Sequence, residues 1–130
     1  WDNQPDGPSV WRRSAYVYRR RALSYPFFET FDLPDQNQTA GARNVSSVAT
    51  QALTLLNNES VLRQAELFAE RLDAEAPDDL DRQVDLAYQI ALTRAPRPEE
   101  AEVAKILITD QSLVALTHVL FNLNEFRYMR

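Results

Sequence analysis

Val61, Leu62, Ala65, Phe68, Ala69 and Leu72 recur three and four residues apart, so the stretch from Glu59 to Glu75 carries its apolar side chains on one helical face. A strand would scatter the same residues over both faces of a sheet. The rest of the chain must then supply partners for that stripe, and its turn chemistry points to more helices. Only two glycines stand against seven prolines, whereas a hairpin-rich β architecture needs glycine at its turns. The expected fold is all-α: an irregular bundle of about five helices with an extended or loop-rich amino-terminal segment.

Helix signals follow one another from the middle of the chain. A helix over 48–56, capped by Ser46 or Ser47, places Ala52, Leu55 and Leu56 on a shared face. Asn57 is expected to end it in the left-handed conformation that asparagine tolerates, and Asn58 to cap the helix over 59–75. Asp78 or Asp79 caps a third helix, lined by Leu80, Val84, Ala87, Tyr88 and Ala91 and ending near Arg94. Pro98 at a first helical position, with Glu99 and Glu100 behind it, opens a fourth that runs to about Thr109. Asp110 or Ser112 starts the last. Its span from Leu113 to Leu123 is apolar almost all the way round, as suits a central helix with several neighbours. Upstream, "PFFETF" at 26–31 suits one short helical turn, and "DLPDQNQTAGARN" reads as a loop. Residues 10–25 fit two patterns, because Tyr16 and Tyr18 alternate as in a strand while the arginines suit a helix equally well.

At 130 residues the chain can bury roughly two thirds of its unfolded surface, enough for a single helical domain over 1–130 with a flexible lead-in at 1–9. Its start on Trp1 within "WDNQPDGPS" suggests a carboxy-terminal piece of a larger protein. No run of about 18 apolar residues is present to span a membrane, and no signal peptide is visible. With no cysteine and one histidine, disulfides, thiolate or histidine metal centres and covalent haem attachment have no ligands in this chain. A net charge of −5 disfavours a general nucleic-acid binder, whose phosphate contacts need a basic field.

The charge is uneven. Arg12, Arg13, Arg19, Arg20 and Arg21 crowd "WRRSAYVYRRR", a candidate anion-binding patch with aromatic residues between the arginines, although pairing with acidic helices explains it as well. His118 within "LTHVLFNL" suits a histidine donating to a backbone carbonyl better than a haem ligand or proton shuttle. The carboxylate pairs Asp32 with Asp35 and Glu99 with Glu100 fit turn and helix-start roles more readily than general acid–base work. The polar residues bordering the two most apolar helices form the main candidate cluster: Arg43, Gln51, Asn57, Asn122, Asn124 and Glu125. Asn57 and Asn124 are expected to be largely buried and held in a shared network, either tying a long loop to the central helix or lining a ligand pocket.

Taken in order, "RRSAYVYRRR", "FFETFDLPD", "ARNVSSVATQALTLLNN", "LAYQIALTRAPRPEE" and "LFNLNEFRYM" resemble the carboxy-terminal part of the planctomycete cytochrome-associated domain of unknown function. The resemblance covers nearly everything from about Arg12 onward. That family usually has a proline where this chain has Ala49, and often a glycine where it has Thr93. The resemblance implies an exported bacterial protein, periplasmic or extracellular, whose domain partners its upstream domains, and it implies no established reaction. A haem, with its cysteines, would belong to another domain of the full-length protein, and carbohydrate is an expected wider partner. The first functional expectation is therefore a helical scaffold or interaction module. The alternative is a part of the substrate pocket of a redox or hydrolytic enzyme acting on polysaccharide, with Arg43, Gln51, Asn57 and Glu125 contributing.

Overall fold

A computed structural model describes residues 7–9, 11–12, 16, 26–33, 41 and 49–127. Every regular element among them is a helix: α1 (Pro26–Thr30), α2 (Ala49–Asn57), α3 (Glu59–Glu75), α4 (Leu80–Leu92), α5 (Pro98–Asp110), α6 (Leu113–Asn122) and α7 (Asn124–Arg127). The chain divides into two compact units, Trp1–Ser47 and Val48–Arg130. Most of the lead-in, Arg13, Arg19, Arg20 and Arg21 of the basic patch, and Arg43 of the polar cluster lie outside the described residues.

In the first unit α1 ends on a left-handed residue. Asp32 has φ 55°, its N–H donates to the Glu29 carbonyl, and Leu33 N–H reaches back to the Phe28 carbonyl at 3.0 Å. These two bonds close the helix in a Schellman arrangement and give Asp32 a turn role. The Phe27 and Phe31 rings, one helical turn apart, pack at 4.9 Å between centroids.

The second unit is a bundle around α6. Phe68 and Leu72 from α3, Val84, Ala87, Tyr88 and Leu92 from α4, Ala104 from α5, and Leu116 and Leu120 from α6 make one buried cluster. Since α6 is apolar on nearly every side, it can be packed against α2, α3, α4, α5 and α7 without burying an unmatched polar group. One polar side chain is nevertheless sealed inside. The Thr117 hydroxyl is shared between the carbonyls of Val114, in its own helix, and Ala65 of α3, at 2.9 and 2.8 Å.

The corners follow from local chemistry. Asn58 caps α3 as expected, its side-chain oxygen accepting the N–H groups of Ser60 and Val61. Asp79 accepts from Arg82 N–H at 3.0 Å to start α4, and Ser112 rather than Asp110 starts α6 by accepting from Ala115 N–H. Pro98 opens α5, and Glu100 reaches back to Arg97 N–H at 2.8 Å. At the α3–α4 corner the buried Gln83 amide donates to the Ala76 carbonyl at 2.9 Å and to Asp73 at 3.3 Å. Removing the Asn58 cap with Asn58→Ala is expected to cost about 1 kcal/mol in a urea melt.

Three sequence expectations need correction here. Asn57 stays helical; the positive-φ residues of the described chain are Asp32, Asp78 and Thr93. Leu56 shares no core face with Ala52 and Leu55, because it is 45 % exposed. Leu123, expected within the apolar helix, lies outside it: its extended conformation at φ −67°, ψ 140° separates α6 from the four-residue α7.

Thr93 closes α4 at φ 58°, ψ 22°. A β-branched residue is strained there by about 1–2 kcal/mol, while glycine is not. Thr93→Gly is therefore expected to raise stability by about 0.5–1 kcal/mol, the gain being trimmed by the extra freedom glycine brings to the unfolded chain. A higher denaturant midpoint at unchanged slope would register it.

Candidate functional site: an arginine held between two carboxylates

Arg94 sits just past the left-handed turn that ends α4, and that turn aims its guanidinium across the bundle end. Its Nε and Nη2 donate to the two Glu125 oxygens of α7 at 2.7 and 2.8 Å. Nη2 and Nη1 donate to the two Glu100 oxygens of α5 at 2.9 and 2.7 Å, and Nη1 also donates to the Ala95 carbonyl at 3.1 Å. All five N–H donors of the guanidinium are thus committed. The plane lies over the Tyr88 ring, 5.5 Å from its centroid, in reach of a cation–π contact.

Both carboxylates respond to the cation. The guanidinium of Arg94, seconded by Arg97 N–H, lowers the Glu100 carboxyl from 4.5 to about 2. Glu125 is lowered as well, again first by its hydrogen bonds to Arg94. Arg94 is held more firmly protonated by Glu125 and then Glu100, while burial, reinforced by the Glu100 charge, pushes Tyr88 up. Both acids are therefore ionised at neutral pH with their oxygens occupied, an arrangement suited to clamping α7 and α5 onto the end of α4. It is poorly suited to donating a proton.

The other candidate residues go elsewhere. Asn57 and Asn124 are exposed, which corrects the expectation that both are buried. Asn57 donates its amide to the Leu53 carbonyl at 2.9 Å, and Asn122 does the same to His118 at 2.9 Å. Each is satisfied within its own helix, so an apolar flank did not force a shared network. Asn57→Leu is accordingly expected to shift stability by less than about 0.5 kcal/mol. Gln51 is buried at 3 % exposure. The His118 ring Nε2 lies 3.3 Å from the Leu55 carbonyl, so the single histidine bonds a backbone carbonyl of α2 as expected. Arg12 is exposed. Among the described residues no group of three His, Asp or Glu side chains is placed to hold a metal ion.

Sequence reasoning included Glu125 but missed Arg94, Gln83 and Thr117. Glu100 precedes Glu125 by a helix and a half, and no periodicity rule links them. The only local hint was an arginine two residues past a helix end.

Residues 2–108 match the family model for PSD1, a protein of unknown function (DUF1553). The chain belongs to this family. No curated protein and no solved structure matches it. The PSD1 match runs through α1 to most of α5, so Arg94 and Glu100 lie inside it and Glu125 beyond it.

Proposed function

We propose that this PSD1 domain is a helical scaffold or interaction module of a multidomain exported bacterial protein, docking the domains that accompany it. The exported, planctomycete and cytochrome-associated setting is part of that proposal and rests on the resemblance described above. One observation carries the docking reading: two helices each hold a pair of large apolar side chains on the face turned away from the core. Leu53 and Leu56, a helical turn apart on α2, are 55 % and 45 % exposed, while Val103 and Ile106 on α5 are 66 % and 59 % exposed. Pairs of large side chains left in water on the outer faces of a bundle mark surfaces that gain by association. The carboxylates of the Arg94 clasp are meanwhile spent on holding helices together.

The test is to mix the chain with the separately produced remainder of its parent protein and follow association by calorimetry. Saturable binding, weakened at least about tenfold by Leu53→Ser/Leu56→Ser or by Val103→Ser/Ile106→Ser, is the expected result. Absence of association, with both parts folded, would sink the reading.

A further inference from the structure

The two outward apolar pairs are not alike. On α5, Glu99, Glu102, Val103, Ile106 and Asp110 are all exposed, and at about 100° per residue they fall within roughly a quarter to a third of the helix circumference. The stripe is an aliphatic pair with carboxylates at both ends and alongside. None of the three acid side chains has a salt bridge or side-chain hydrogen bond among the described residues; Lys105, one turn from Glu102, feels its charge but is paired with Asp81 of α4. On α3, by contrast, two of the five acids, Glu66 and Glu75, are paired with Arg63 and Arg71 of the same helix.

This stripe also runs against what a free helix surface prefers. Valine and isoleucine are weaker helix formers than the alanine, lysine or glutamate that usually fill solvent positions. Asp110 stands in the last turn of α5, where the helix dipole disfavours an anion, and it is not the cap of α6, because Ser112 holds that position. Two local preferences are broken on one stripe, with no salt bridge from its acids among the described residues to offset them, a pattern that marks functional surface.

We propose that the outer face of α5 is a docking site for a cationic amphipathic protein segment, with apolar residues one helical turn apart flanked by arginine or lysine. Charge complementarity selects this occupant. A second copy laid symmetrically on the same face would bring the acids of one stripe against those of the other, Glu99 near Asp110 in an antiparallel pairing. A cationic segment instead places its apolar residues on Val103 and Ile106 and its cations on the surrounding carboxylates. This deepens the scaffold reading by naming the partner class of one of its two faces.

The test adds to the full chain a short amidated peptide with leucines a helical turn apart and arginines between them, followed by amide chemical-shift mapping and fluorescence anisotropy. Shifts should centre on α5. Affinity should fall about tenfold with Val103→Ser/Ile106→Ser, fall similarly with Glu102→Gln/Asp110→Asn, and weaken as salt rises from about 50 to about 300 mM. The glutamate-for-arginine version of the peptide should not bind. No binding, binding unaffected by the serine pair, or shifts centred on the acids of α3 and α4 would each overturn the proposal. The last two would mean unspecific attraction to an acidic protein. Such a failure leaves the α2 face available for docking, so it is distinguishable from failure of the scaffold reading, in which no domain associates at all.

Discussion

Leu120→Ala is expected to cost about 3 kcal/mol of folding free energy, the loss typical of a leucine sealed in a packed core. Leu120 is 1 % exposed on α6 and belongs to the cluster shared by α3, α4, α5 and α6. Truncating it removes buried methyl groups and leaves a void within a cluster drawn from four helices. Those helices are fixed by other contacts, so collapse into the void is limited and the cavity cost adds to the transfer cost. Its neighbour supplies the control. Val119 is 46 % exposed on the same helix, so Val119→Ala should shift stability by less than about 0.5 kcal/mol. Urea melts of both variants decide the matter; a comparable loss for the two would mean that α6 is not the centre of the bundle.

Arg94→Met tests the clasp at the bundle end. It keeps a long apolar stem over Tyr88 but strips two carboxylates of their common cation, leaving Glu100 and Glu125 facing one another. The Arg94 side chain is 27 % exposed and Glu125 48 %, so water screens much of the loss, and the expected cost at pH 7 is about 1–2 kcal/mol rather than the value for a sealed pair. Arg94→Lys should recover only part of it, because a single ammonium cannot serve both carboxylates in forked fashion.

The effect should depend on pH with a definite sign. Glu100 titrates at about 2 in the folded protein against an ordinary 4.5. A depressed carboxyl contributes its stabilisation fully above about pH 4.5 and loses it as pH falls toward 2. Glu125, also depressed by Arg94, acts in the same direction. The stability gap between the natural protein and Arg94→Met should therefore be widest near neutrality and narrow steadily through that acid window. A gap that holds constant from pH 7 to pH 2 would show that the clasp acts through packing rather than charge.

The α3 helix was legible to the residue, from Glu59 to Glu75, because its apolar stripe, its asparagine cap and the absence of competing signals all agree. The starts of α4, α5 and α6 were legible to within two residues for a similar reason: Asp79 and Ser112, each one of two candidates, bond backbone N–H groups three residues on, and Pro98 favours a first helical position through its fixed φ and missing N–H. Local chemistry did not settle burial. Asn57 and Gln51 both sit in the same helix among leucines and alanines, yet the glutamine is buried and the asparagine is exposed, since an amide can satisfy itself on its own helix or turn inward with equal ease. Arg94 shows the limit most clearly. Its partner Glu125 lies 31 residues away, and only the packing of α4, α5 and α7 around α6 brings the two together. The sequence by itself determined helices α2 to α6, the Asn58 cap and the apolar circumference of α6, because these are set within a turn or two of chain. Which polar groups meet, and which apolar pairs remain in water, was decided by tertiary structure alone, because those outcomes depend on how helix faces are rotated against one another.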